Sequence, residues 1–372
     1  MTIHQLYSFI YILLTWMLTL FICVRIMRMP DMYLLKRKNH SKAVIAFIVF
    51  LIFFMGFRPG LVGADTGTYM AKYQKMMQGM MYDPYDPNES VKDALFQSCQ
   101  FVCAQIMPVS LFFLIIAFFY VYSVCLACRR LLRNNYVFLL IAAVGAFSFF
   151  SYGVNGIRNG LATSLVLLGL SYIPGSLKNK LLCAILCFIA INFHGSVLLP
   201  VVAMLFALFF KHPKFMFYVW GISVLVSLIV GQSVGDIFLT LGLDQRMTHY
   251  MTLESSTETE DAIAAARFRW DFLLYSFMPI LMGWYCIFKK KICDLNYHLL
   301  LGTYIYSNAV WVILIRIPYS NRFAYLSWFL YAIVLAYPLF KFHLWRNQGR
   351  KVAIIMMAHV SFTFLMYFYT GL

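Results

Sequence analysis

The chain alternates between apolar runs of helix-forming length and short polar or basic segments. A helix rises about 1.5 Å per residue and needs about 20 apolar residues to cross a bilayer, with roughly 17 to 25 tolerated. The pattern therefore predicts an all-α, polytopic integral membrane protein with about 12 transmembrane helices and a single membrane domain over residues 1–372. The predicted spans are about 6–24, 42–57, 109–128, 136–153, 160–175, 181–194, 196–210, 215–235, 271–288, 297–315, 323–340 and 352–370.

Two of the segments between these spans are long, at 58–108 and 236–270. Within the first, apolar residues recur at helical spacing over 92–107 beside several glutamines, which predicts an amphipathic helix lying in the membrane interface and ending at Pro108. Within the second, Thr257 and Glu260 have capping-box spacing, which predicts a short helix leading into the ninth span.

The composition supports lipid as the solvent. Apolar residues make up 62% of the chain and charged residues only 12%, whereas soluble domains carry about 25% charged residues. A soluble protein of this length would need far more charge to cover its surface. The composition therefore excludes a soluble globular enzyme.

The net charge of +16 comes from 30 basic and 14 acidic residues. Most basic residues form clusters between the apolar runs, and twelve alternating spans place every one of these clusters on the same side of the membrane. This is the positive-inside pattern. It makes nucleic acid an improbable partner, and it puts 58–108 and 236–270 on the outward side. The clusters are 25–42, 129–133, 178–180, 211–214, 289–291 and 341–351.

The nine cysteines lie mostly within apolar runs. Cys125 and Cys128 form a CxxC pair, but no histidine or second pair lies near enough in sequence to complete a zinc site. We expect packing residues between helices and no metal site.

Arginines on the outward side run against the positive-inside tendency. Arginine keeps its charge, and its planar fork suits phosphate oxygens. Several arginines that converge at one membrane face would suit a diphosphate, although each can instead pair with a local acid or a lipid headgroup. The candidates are Arg58, Arg158, Arg316 and Arg322, in apolar or Gly/Pro-rich surroundings, and Arg246, Arg267 and Arg269, in an acid-rich loop.

Two further residues are candidates for proton transfer. His194 lies in a Gly/Ser-containing break between two short spans, where it can act as a general base, a helix cap or an interfacial anchor. Asp65 lies in a glycine-rich turn, where it can act as a base, orient an arginine or cap the helix that begins near Thr66. Which residue is the base stays open at this point.

No nucleotide-binding or metal-binding motif accompanies these residues: Walker A, GxGxxG, HExxH, GxSxG and DxD are absent. We therefore expect neither a cofactor nor a nucleotide-activated donor.

Three stretches together resemble the EpsG family, which overlaps the Wzy-type O-antigen polymerases. They are R-x6-D-T-x2-Y from Arg58 to Tyr69, FFSYGVNGIRNGLA at 149–162, and FHGS at 193–196. The resemblance implies a GT-C-like, metal-independent glycosyltransferase on the periplasmic face of the bacterial inner membrane. By this resemblance Arg58, Asp65, Arg158 and His194 are site residues. Arg316 and Arg322 match a less sharply defined late arginine of the family, and the loop arginines Arg246, Arg267 and Arg269 match it least.

Such an enzyme would polymerise undecaprenyl-diphosphate-linked oligosaccharide repeat units, moving the growing chain onto the non-reducing end of a new unit. Its partners would be the lipid-linked oligosaccharide, membrane lipid and a chain-length regulator protein. Two other functions stay open: a flippase or transporter of lipid-linked oligosaccharides, and an outward-facing ligase or acyltransferase that uses His194 as base.

Overall fold

In the computed structural model the chain is helical throughout the part that it describes, which is residues 2–29, 42–80, 93–210, 212–230, 268–317 and 320–370. Helices α1 to α8 are Ile3–Met27, Lys42–Gly56, Thr66–Met77, Ala94–Ile106, Val109–Leu131, Tyr136–Val144, Phe147–Val154 and Ile157–Tyr172. Helices α9 to α16 are Leu177–Phe193, Leu198–Phe209, Pro213–Val230, Trp270–Trp284, Leu295–Ile313, Asn321–Trp328, Tyr331–Lys341 and Gln348–Thr370.

Each of the twelve predicted spans coincides with one helix or with a pair of consecutive helices. Within the described residues, six segments are long and apolar enough to cross a membrane. A seventh is α6 with α7, if this pair, bent by 72°, is one broken span. The chain is therefore an all-helical, multi-pass membrane protein, while the full set of twelve crossings stays a prediction.

Two compact units make up the chain, one of residues 1–198 with 335–372 and the other of residues 199–334. In the first unit, α8 packs against α5 and α9, α5 packs against α2, and α1 packs against α16. All nine residues of α6 are buried, so this short apolar helix lies inside the unit. In the second unit, α13 packs against α11 and α14.

The amphipathic helix predicted at 92–107 is present as α4, and it ends before Pro108. The second half of its apolar stripe is exposed, since Val102 is 59% exposed and Ile106 is 72% exposed, whereas Leu95 and Cys99 in the first half are half-buried. The opposite face, with Phe96 and Gln100, is buried and packs against α3. The buried face also holds Ala104 and is therefore largely apolar, so α4 packs on the protein with one face and leaves apolar side chains open on another, as a helix at a lipid interface can.

Candidate active site

Helix α3 holds two of the predicted site arginines through side chains on one face. The Arg58 Nε donates to Thr66 Oγ1 at 3.1 Å, and the Arg158 Nε donates to the Tyr69 hydroxyl at 3.1 Å. Thr66 and Tyr69 are three residues apart in the helix and therefore share a face. The threonine and tyrosine of the R-x6-D-T-x2-Y stretch thus each bind one arginine.

Arg58 is almost fully enclosed, with 6% of its surface exposed. Its Nη1 donates to the Met55 carbonyl at 3.0 Å, and its guanidinium lies 4.1 Å from the centre of the Phe113 ring. Burial lowers the pKa of Arg58 to about 10, so the side chain stays charged at neutral pH. Its buried Nη2 has no hydrogen-bond partner among the described residues. Arg58 therefore combines a charge with an unused donor.

Thr66 fixes the turn between α2 and α3 against α7. Its hydroxyl bonds to the Val62 carbonyl at 2.6 Å and to the Val154 carbonyl at 3.1 Å. Gly63 lies in the same turn with φ of +86°, a left-handed conformation that glycine adopts readily. The turn and the end of α7 therefore form one hydrogen-bonded corner around Arg58.

Arg158, in the first turn of α8, forms an ion pair with Asp93. Its Nη1 donates to Asp93 Oδ2 at 2.8 Å, and 19% of the arginine side chain and 6% of the aspartate side chain are exposed. Burial alone would lower the pKa of Arg158, but its contacts with Tyr69 and with the Asp93 carboxylate outweigh burial and raise that pKa above its ordinary value. The Nη2 of Arg158 makes no hydrogen bond to any residue that the structure describes.

Asp93 joins Arg158 to His194. The same Oδ2 lies 3.1 Å from His194 Nδ1, and Oδ1 accepts the Gly195 backbone N–H at 3.0 Å. Three donors from two chain segments thus converge on one carboxylate. Arg158 and His194, predicted separately from the sequence, lie together because of this residue.

Electrostatics agrees with this geometry. Burial alone would raise the pKa of Asp93, but the hydrogen bond from His194, the charges of His194 and Arg158, and the Gly195 N–H outweigh it and lower that pKa. The backbone at Asp93 is left-handed, with φ of 65°. Aspartate tolerates this conformation better than most residues, and it places the carboxylate just before the first turn of α4.

Aromatic packing reinforces the contact between Asp93 and His194. Phe96, in the first turn of α4, lies edge-to-face with Phe193 at a centroid distance of 6.2 Å. Phe193 directly precedes His194, which ends α9. Phe96, three residues after Asp93, and Phe193, directly before His194, therefore add an apolar contact beside the Asp93–His194 pair.

Asp65 is placed differently from the other predicted site residues. It occupies the N-cap position of α3, but its side chain makes no capping hydrogen bond and is exposed to solvent. Its backbone N–H donates to Asn155 Oδ1 at 2.8 Å. Among the described residues its carboxylate forms no ion pair, so the arginine-orienting role falls to Asp93.

Three of the predicted arginines in the second unit lie among the described residues. Arg269 forms a bidentate pair with Asp271, at 2.9 and 2.7 Å, which is the local pairing that competes with phosphate binding. Arg316 lies 5.3 Å from the Phe268 ring centre, and its buried Nε has no partner among the described residues. Arg322 is exposed in the first turn of α14. Arg246, Arg267 and most of 236–270 lie outside the described residues.

Asp93 is the site residue that sequence reasoning missed. The signal available was an acid in the first turn of the amphipathic helix predicted at 92–107 on the outward side, where acids are ordinary because they interact favourably with the helix dipole. Its partners lie 65 and 101 residues further along the chain, so no local pattern links them. In the described part of the chain, no group of three His, Cys, Asp or Glu residues is placed to hold a metal ion.

Comparisons with known proteins identify a family. No curated protein and no solved structure matches the chain. The family model of the EpsG family matches residues 42–372, a range that includes Arg58, Asp93, Arg158, His194 and the second unit. The chain therefore belongs to the EpsG family, whose general kind is the Wzy-type polysaccharide polymerase.

Proposed function

We propose that this protein polymerises lipid-linked oligosaccharide repeat units, as a metal-independent glycosyltransferase at the periplasmic face of the bacterial inner membrane. The donor is a growing chain on undecaprenyl diphosphate, and the acceptor is the non-reducing end of a new lipid-linked unit. Family membership supports a polysaccharide polymerase in general. The particular donor and face rest on the arrangement of charged residues.

One observation carries the proposal: a cation and a proton acceptor are joined at one carboxylate beside a second buried cation. Arg158 and His194 both contact Asp93, and Arg58 is bound to the same face of α3 as Arg158. Glycosyl transfer from a lipid diphosphate needs stabilisation of the departing phosphate charge and removal of a proton from the acceptor hydroxyl. This cluster provides groups for both tasks.

In the proposed step, the acceptor hydroxyl oxygen attacks the anomeric carbon of the growing chain. The bond from this carbon to the diphosphate oxygen breaks, and the diphosphate leaves with the electron pair. The hydroxyl proton passes to His194. Preplaced arginines stabilise the leaving diphosphate in the way that a metal would, so the reaction needs no cofactor.

Arg158 and Arg58 are the proposed diphosphate ligands, since each is charged and keeps an unused Nη2 donor among the described residues. His194 is favoured over Asp65 as the base, because it contacts Asp93 together with Arg158 whereas Asp65 stands apart. Arg316 and Arg322 are proposed as further substrate contacts. A chain-length regulator protein is the proposed protein partner.

The test is a gene deletion followed by a silver-stained gel of surface glycolipid. A polymerase predicts single-repeat glycolipid in place of a ladder. An unchanged ladder contradicts the proposal. Complete loss of surface repeat would indicate the flippase, and polymerised chains that stay on undecaprenyl would indicate the ligase.

Complementation of the same strain tests the arginine site. Arg158→Ala should restore no ladder at normal protein level, and Arg158→Lys should stay impaired because lysine lacks the planar fork that binds two groups at once. Arg133→Lys is the matched control, since Arg133 is exposed in a predicted inward cluster. A full ladder with Arg158→Lys would exclude a role in which the planar guanidinium binds Asp93 and the diphosphate at once.

A further inference from the structure

The hydrogen bond between Asp93 and His194 fixes where the imidazole carries its proton. An ionised carboxylate can only accept hydrogen bonds. Asp93 Oδ2 lies 3.1 Å from His194 Nδ1, so this contact is favourable only when Nδ1 carries a hydrogen. In the neutral ring the other nitrogen, Nε2, then has a free lone pair.

Nothing in the described part of the chain occupies that second nitrogen. Among the described residues, the His194 ring forms a hydrogen bond with Asp93 alone, through Nδ1. The side chain is 19% exposed. The ring is therefore held at one edge and open at the other. This is the arrangement of a proton acceptor that waits for a hydroxyl group.

Arg158 and Gly195 keep the carboxylate in its accepting role. Arg158 Nη1 occupies Oδ2 from a second direction at 2.8 Å, and the Gly195 N–H occupies Oδ1 at 3.0 Å. A protonated Asp93 would have to give up one of these bonds, since its O–H needs space that a donor already fills. The surrounding donors thus favour the carboxylate that holds the imidazole proton at Nδ1.

We propose that Asp93 is a positioning residue: it holds the His194 proton on Nδ1 and so presents the Nε2 lone pair to the acceptor hydroxyl of the sugar. This inference rests on the proposed transferase function. Asp93 touches no reacting atom in this account. It acts through His194, and the proton from the acceptor ends on Nε2 while the Nδ1 proton stays between His194 and Asp93.

The first experiment reads the tautomer without any glycosyl transfer. The full chain is labelled with ¹⁵N-histidine in detergent, and the His194 signals are assigned by their loss in His194→Gln. We expect the Nδ1–H form in the wild type near neutral pH, and loss of that fixed form in Asp93→Ala. An Nε2–H ring in the wild type, or spectra unchanged in Asp93→Ala, would overturn the inference.

The second experiment is a double-mutant cycle with purified protein and the lipid-linked repeat unit extracted from the deletion strain. Asp93→Ala should lower kcat roughly 100-fold or more, the usual range for general base catalysis. In a His194→Ala background the same change should alter kcat less than about threefold, because the residue through which it acts is gone. Its effect on KM, through Arg158, should persist in both backgrounds.

Two controls separate positioning from simple loss of structure. Asp93→Glu should recover part of kcat, since a carboxylate is kept. Asp294→Asn should leave kcat unchanged, because Asp294 caps α13 by accepting the Tyr297 N–H and asparagine caps equally well. Full additivity of the Asp93 and His194 effects on kcat would contradict positioning.

The two experiments also distinguish failure of the inference from failure of the proposed function. A wild-type protein that never extends the lipid-linked unit, yet shows an Asp93-dependent Nδ1–H ring, would refute the polymerase and leave the positioning role standing. A protein that extends chains while its His194 carries the proton on Nε2 would support the polymerase and refute the positioning role of Asp93.

Discussion

At the scale of single residues, the site depends on hydrogen bonds that pair distant parts of the chain. Thr66 and Tyr69 each bind one arginine. Asp93 contacts Arg158 and His194 through Oδ2 and accepts the Gly195 N–H through Oδ1. A buried charge with an incomplete set of partners is costly. If the proposed transferase role holds, these residues serve stability and chemistry together, and we expect a change at one of them to alter both stability and polymer formation.

The pH dependence of stability should reveal the ionised state of Asp93. Its pKa is lowered in the folded protein from the ordinary value of 3.8. A lowered carboxyl pKa adds stability that is fully present above the unfolded value and is lost as pH falls through the folded value. Asp93→Asn should therefore destabilise by about 1 to 3 kcal/mol near neutral pH, and the difference should shrink below about pH 4.

Thermal unfolding in detergent between pH 3 and pH 7 measures this difference for the wild type and Asp93→Asn. Asp65→Asn serves as comparison, because Asp65 forms no ion pair within the described residues, and it should shift stability little at any pH. If the difference in unfolding free energy between the wild type and Asp93→Asn stays constant down to pH 3, Asp93 is not a buried ionised carboxylate.

The candidate site could be predicted from the sequence residue by residue but not as an arrangement. Arg58, Arg158 and His194 stand out because charged groups beside apolar spans are costly and need a reason. Asp93 carries no such signal, since an acid in the first turn of a predicted helix is ordinary. The contacts that join 93 to 158 and 194 depend on tertiary packing, which a single sequence does not display.

At the scale of helices, hydropathy predicted where helices form better than where they stop. A span such as 136–153 is one apolar run in sequence, but the structure divides it into α6 and α7 with a 72° bend. The break falls at Gly145 and Ala146, and a methyl group at Gly145 would meet Val360 at 2.6 Å. Close packing against α16 therefore sets a boundary that composition alone does not show.

Gly63 gives an element-scale prediction. Its φ is +86°, and a Cβ there would lie 3.1 Å from the Val154 carbonyl and 3.2 Å from Thr66 Oγ1. Gly63→Ala should cost about 1 to 3 kcal/mol through backbone strain, and it should lower polymer formation because the turn carries the Thr66 contact to Arg58. Unfolding in detergent and the glycolipid ladder measure the two effects.

Gly67 provides the matched control for that experiment. It lies in the first turns of α3, and a Cβ there would meet nothing within 4 Å. Gly67→Ala should stabilise the helix by roughly 0.5 to 1 kcal/mol. Equal effects of the two substitutions would mean that the conformation at Gly63 imposes no strain.

At the scale of the whole molecule, the charge pattern predicts on which side of the membrane each loop lies. The basic clusters share one side if all twelve spans cross, and His194 then faces outward while Cys293, next to the 289–291 cluster, faces inward. Gly195, next to His194, and Cys293 suit a labelling experiment. Both residues are exposed, and a Cβ at Gly195 would meet nothing within 4 Å.

A membrane-impermeant maleimide applied to intact spheroplasts should label Gly195→Cys and leave Cys293 unlabelled. Permeabilised spheroplasts should show label at both positions, located by mass spectrometry of the peptides. Label at Cys293 in intact spheroplasts, or none at position 195, would contradict the predicted orientation and remove the active site from the periplasmic face.

The carboxylate of Asp93 has a consequence for how this family can diverge. It contacts an arginine and a histidine from separate chain segments at once, so replacing the acid leaves both partners without this carboxylate, and replacing either partner leaves the carboxylate with one donor fewer. Related chains should therefore exchange these three residues as a set, and a relative that lacks the acid should also have replaced its arginine. Chains that keep Asp93, Arg158 and His194 together, and not merely one of them, should be the ones that share this chemistry.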